Sequence, residues 1–133
     1  MTQERLTNPV LVRSSAITHA ANGTTVLAVE VPAGHWVPPY GVSVYVAEVF
    51  AGGTPSMTVG DGDDVDGWLT SANITEATVG TYSSVAAAYA ITGKFYSTAD
   101  TIDVVVDDTT LTAGTCYVLV VMFDLSDPGM PAA

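Results

Sequence analysis

Apolar and polar positions alternate along most of the chain with a period of two, which predicts strands rather than helices. Thr24 to Val31 puts Leu27, Val29 and Val31 on one face, and Val42 to Phe50 does the same with Val42, Val44, Val46 and Phe50. Thr101 to Asp107 sets Ile102, Val104 and Val106 against Asp103, Val105 and Asp107. All three segments read as half-buried strands. Thr115 to Phe123 is apolar on both faces, so it reads as a central strand. Weaker patterns predict strands over Val10 to Thr18, Thr54 to Val59 and Tyr89 to Tyr96, with Gly93 marking a bulge in the last.

Turn residues separate these runs: Asn22-Gly23, Pro32-Ala33-Gly34, Pro38-Pro39, Gly52-Gly53, the stretch Gly60 to Gly67, Asp107-Asp108 and Ala113-Gly114. Asn22-Gly23 lies between two strand candidates and tolerates positive φ, which predicts a type I′ hairpin there. Helix is confined to two places, a turn within Asp63 to Leu69 and the Ala-rich Ser84 to Ala90. Val and Thr make up 38 of the 133 residues, and both suit a pleated surface. The expected fold is all-β: a jelly-roll-like antiparallel β-sandwich of about eight strands. Residues 1–133 form one domain in this reading, with a core over 10–125 and extended arms over 1–9 and 126–133.

Charge narrows the possible partners. Three Lys and Arg against fourteen Asp and Glu give a net charge of -11, which leaves nothing to neutralise a run of phosphates or an anionic membrane surface. The longest apolar run, Cys116 to Phe123, is too short to span a bilayer. Neither nucleic acid nor membrane is therefore an expected partner. Cys116 is the single cysteine, so no intrachain disulfide and no multi-cysteine zinc site is available. The opening residues carry charges where a secretory signal has its apolar stretch, which predicts synthesis in a cytoplasm. Charged residues are only 13% of the chain, half the roughly 25% of an ordinary soluble domain, so Thr, Ser, Gly and Ala or neighbouring chains must cover much of the surface.

Candidate chemistry is sparse. Asp61, Asp63, Asp64 and Asp66 cluster in Gly60 to Gly67, a pattern that suits calcium, yet the EF-hand template fails. Counting from Asp61, Val65, Asp66 and Ala72 stand where that template wants an acidic or amide residue, Gly and Glu. A turn braced by Asp side chains is the favoured reading, and no metal or cofactor is assigned. His19, His35 and Cys116 offer a Cys/His pair only on paper, since Cys116 lies in the most apolar strand. Catalytic fingerprints are absent from the sequence, and no catalytic residue is assigned. His35, Trp36, Pro38, Pro39, Tyr40 and Trp68 are the candidate interface residues. Their rings would serve as protein-interface anchors or as a sugar-binding platform, against the simpler role of plugging the sandwich ends.

Four motifs in order carry a resemblance: Val31-Pro32-Ala33-Gly34, the segment Thr58 to Leu69 containing Gly-Asp-Gly-Asp-Asp-Val-Asp-Gly-Trp, Tyr96 to Val104, and Thr112-Ala113-Gly114-Thr115. Over residues 24–123 the chain resembles short virion structural proteins of tailed bacteriophages, in particular jelly-roll cement, or decoration, proteins of the capsid exterior. The resemblance implies a non-enzymatic protein on the outside of the virion that stabilises the head. Its partners would be the major capsid protein and copies of itself, as a dimer or trimer. It also implies that Gly60 to Leu69 specifies the fold. The alternative is a head-fibre or tail structural protein with a carbohydrate-binding face.

Overall fold

In the computed structural model, which describes residues 9–108 and 110–126, the chain forms ten strands. They are β1 (Pro9–Arg13), β2 (Ile17–Thr18), β3 (Thr25–Val31), β4 (His35–Val37), β5 (Val42–Ala51), β6 (Ser56–Gly60), β7 (Gly80–Tyr82), β8 (Lys94–Tyr96), β9 (Asp100–Asp107) and β10 (Ala113–Asp124). The helix α1 (Ala88–Thr92) precedes β8. All strand pairs are antiparallel and build two sheets, the sandwich that the alternation predicts. The expected arms fall almost entirely outside the described residues; Pro9 already belongs to β1.

β10 is the spine of the larger sheet. It pairs with β5 and β4 along one edge and with β2 and β1 along the other, and β7 and β8 extend the sheet outward. The register explains the connection between β4 and β5. Val120 pairs with Val42 and Phe123 with Trp36, so β4 and β5 run as one interrupted strand along β10, with residues 38–41 looped out between them. The Val121 amide bonds the Gly41 carbonyl at 2.8 Å and closes the gap.

The smaller sheet has the order β3, β9, β6. Between the sheets lies one apolar cluster in which Val31, Val37, Val44, Val46, Met57, Val59, Ile102, Val104, Val118 and Val120 are fully buried. In β10 the alternation is complete: Cys116, Val118, Val120 and Met122 face the core, while Tyr117, Leu119, Val121 and Phe123 are half-buried on the outer face.

Three local expectations are corrected. Asn22-Gly23 makes no type I′ hairpin, because Asn22 has φ of -56° and the two flanking strands belong to different sheets. A short 3₁₀ turn over His19–Ala21 leads instead into a crossing at which the Gly23 amide bonds the Val106 carbonyl at 2.8 Å. Tyr89 to Tyr96 is not one strand. It breaks at Gly93, φ 68°, into α1 and β8. Residues 63–69 form bends and a turn without helix, because the Trp68 and Leu69 amides bond the Val59 carbonyl at 3.0 and 2.9 Å and so make no i−4 helical bonds.

Candidate functional site

The acidic segment Gly60 to Gly67 is folded around Asp61, whose side chain is fully buried. Its Oδ1 accepts from the amides of Asp63 at 2.9 Å and Asp64 at 3.1 Å. Its Oδ2 accepts from Lys94 Nζ at 2.7 Å and from the Tyr96 hydroxyl at 2.8 Å. The Tyr96 oxygen in turn accepts from Trp68 Nε1 at 3.1 Å. Lys94 also reaches Asp63 Oδ2 at 3.1 Å and lies 4.4 Å above the Tyr89 ring centroid. An ammonium thus occupies the position where clustered carboxylates would otherwise gather a cation.

Electrostatics follow from that packing. Burial pushes the Asp61 carboxyl up, but Lys94, Tyr96 and the two amides outweigh it and hold the group below the usual carboxylate range. Burial opposes the charge on Lys94, and the bonds it donates to Asp61 and Asp63 outweigh that, so its pKa is raised. Asp61, Asp63 and Asp100 bring oxygens within 4.8 Å of one another, yet both oxygens of Asp61 already have two donors each. Gly60 is required by close approach: a Cβ there would run into the backbone of Asp64 and Val65.

The six interface candidates are dispersed by the fold. Trp68 is corrected from an interface residue to a core residue: it is 1% exposed, bonded to Tyr96 and edge-on to Tyr89 at 5.6 Å. Its position is that of a plug, which removes it from any sugar platform. His35 and Trp36 are neighbours on β4 and therefore face opposite sides of the sheet. Pro38 and Pro39 are half-buried in the looped-out segment, and Tyr40, 57% exposed, follows them with φ of 60°. That left-handed backbone is strained for an aromatic residue and is held by the Tyr40 amide bond to the Ala90 carbonyl at 3.0 Å.

Trp36 does belong to an exposed surface, whose other members are not among the sequence-predicted candidates. Register aligns Pro9, Phe123, Trp36 and Phe95 across β1, β10, β4 and β8, with Leu11 opposite Val121 in the adjacent row. The Trp36 and Phe123 rings are 5.7 Å apart. Farther along β10, Tyr117 stacks on Tyr45 at 6.4 Å beneath the guanidinium of Arg13. Leu11 is 70% exposed and Phe95 51%. The signal was available in the alternation of Lys94-Phe95-Tyr96, which turns Phe95 outward when Lys94 and Tyr96 turn in, but β4 and β8 are too short to read as strands.

Among the described residues no Cys/His pair is assembled. Cys116 is buried with Met57 Sδ at 4.0 Å, and burial pushes its thiol up to about 12. His35 pairs with Asp124, eight residues farther along β10.

No protein-family model matches the chain, and no curated protein does either. Among solved structures, the chain is similar to one in the acidic stable capsid structure of Helicobacter pylori bacteriophage KHP30. That match has a TM-score of 0.67 and 17% identity and covers 100% of this chain and 98% of the other. It is also similar to a chain of the cyanophage Pam1 capsid asymmetric unit, with a TM-score of 0.63 and 12% identity over 88% of this chain and 86% of that one. At these identities the likeness is one of fold.

Proposed function

We propose that the chain is a bacteriophage virion structural protein, and specifically a cement protein that binds the outside of the major capsid protein shell and stabilises the head. The observation that carries this reading is end-to-end likeness to a phage capsid chain, with neither partner leaving a domain unmatched. An aromatic sheet face, a polar network used up in holding a turn, and a buried thiol all suit a protein that works by contact. Copies of the chain would associate about a symmetry axis of the shell as a dimer or trimer.

Sedimentation of purified protein with heads lacking it is the test. Saturable co-pelleting, with treated heads surviving heat better than bare ones, is expected. Protein that stays in the supernatant at every concentration would overturn the cement role.

A further inference from the structure

The outer face of the larger sheet is the one extended surface among the described residues that the chain leaves both apolar and uncovered. Antiparallel sheets that meet water normally alternate to polar on that side, whereas here Leu11, Val121, Phe123, Trp36 and Phe95 occupy it. The opposite outer face is mixed, with Thr25, Thr58 and Asp107 beside Leu27 and Val105 on the three strands of the smaller sheet.

Size and charge decide what could cover the aromatic face. Strand geometry over Leu119 to Phe123 and across β1, β10, β4 and β8 gives the apolar centre roughly 300 Å², well under half the ~800 Å² per partner of a stable complex. The remaining contact must come from the rim. At the Phe95 end an open groove of about 420 Å³ is lined by Asp63, Asp100 and Lys94, the last already bonded to Asp61, and at the other end Glu48 pairs with Thr115. The side chain of Asp63 is 77% exposed. A second copy would bring fourteen carboxylates and three cations, of which Lys94 is already in the Asp61 network and Arg13 lies over Tyr117. At a net charge of -11 it would repel this rim more than complement it.

We infer that the outer face of the larger sheet docks a different protein, apolar where it meets Trp36, Phe95 and Leu11 and basic where it meets Asp63, Asp100 and Glu48. This rests on the virion reading, in which that partner is a shell protein, and it assigns the contact to one face with lysines or arginines opposite its acidic rim.

The test uses heads lacking the protein as the probe. Phe95→Ser and Leu11→Ser alter exposed side chains and are expected to weaken co-sedimentation about tenfold or more, while Leu27→Ser, equally exposed on the smaller sheet, binds as wild type. Asp63→Asn and rising salt are both expected to weaken binding. Wild-type binding unaffected by Phe95→Ser and Leu11→Ser would overturn the face and leave the virion reading standing. Absence of wild-type binding would overturn both. Self-association of the purified protein that Phe95→Ser abolishes would overturn the choice of a different partner in favour of a second copy.

Discussion

The acidic turn and the aromatic sheet face carry opposite kinds of chemistry, and each is completed differently. Both oxygens of the buried Asp61 carboxylate are answered within the chain, by Lys94, Tyr96 and two amides. On the outer face of the larger sheet, Leu11 and Phe95 are more than half exposed and nothing described in the chain lies over them. The motif richest in reactive residues is therefore a device for folding, and a face with almost no reactive residue is the place where a partner is needed. Charge clustering in a sequence marks function only when its complement is missing from the same chain.

Removing Lys94 is the strongest way to break that contrast. Lys94→Met leaves the Asp61 carboxylate buried without its cation, a change that costs about 3 kcal/mol, the low end for a broken buried pair because Lys94 retains 19% side-chain exposure. A fall in Tm of roughly 10 °C, measured at neutral pH, is expected. Loss of less than ~1 kcal/mol would mean that the turn does not depend on its internal cation.

Acid titration sharpens the same point. The folded pKa of Asp61 is depressed, so its contribution is present above the unfolded carboxylate value of about 4 and is lost as pH falls through the folded value. Wild-type Tm is expected to drop below about pH 4. The gap between wild type and Lys94→Met should narrow over that range, since a protonated Asp61 no longer needs a cation. A constant gap down to pH 2 would show that Lys94 acts by packing alone.

The difference in legibility between the two regions has a physical origin. β3, β5 and β9 were readable because one face of each is buried, which imposes period two over seven or more residues, and β10 because it is apolar on both faces. The role of Gly60 to Leu69 as a turn was also readable, because Gly and Asp at such density suit little else. Its partner Lys94 was not, because thirty-three residues separate it from Asp61 and only the pairing of β8 with β4 brings it back. The aromatic face escaped notice for a related reason. Its rows run across strands, through Leu11, Val121, Phe123, Trp36 and Phe95, so no window of sequence contains them together.

Glu76 provides a third carboxyl that separates the effect of burial from the effect of pairing. It is 8% exposed, Oε1 has no hydrogen-bond partner, and burial raises its pKa. A raised carboxyl favours the folded state when protonated, so its contribution is present at low pH and is lost as pH rises through the folded value. Glu76→Gln is expected to stabilise the protein by about 1 kcal/mol at neutral pH, with the gain shrinking toward pH 4. Destabilisation at neutral pH would mean that the charge has a partner in solution.

The smallest expected change in stability belongs to the aromatic face, and its smallness carries the comparison. Phe95→Ser and Leu11→Ser remove side chains that touch the core little, so chemical denaturation should place both within about 0.5 kcal/mol of wild type. Residues that are large, apolar and exposed yet dispensable for folding burden an isolated chain with surface that favours non-specific association. Such residues make physical sense as contacts with something else. If either variant instead lost more than ~2 kcal/mol, the outer face would be structural in the same sense as the Asp61 turn, and the distinction between a region completed by its own chain and one awaiting a partner would disappear.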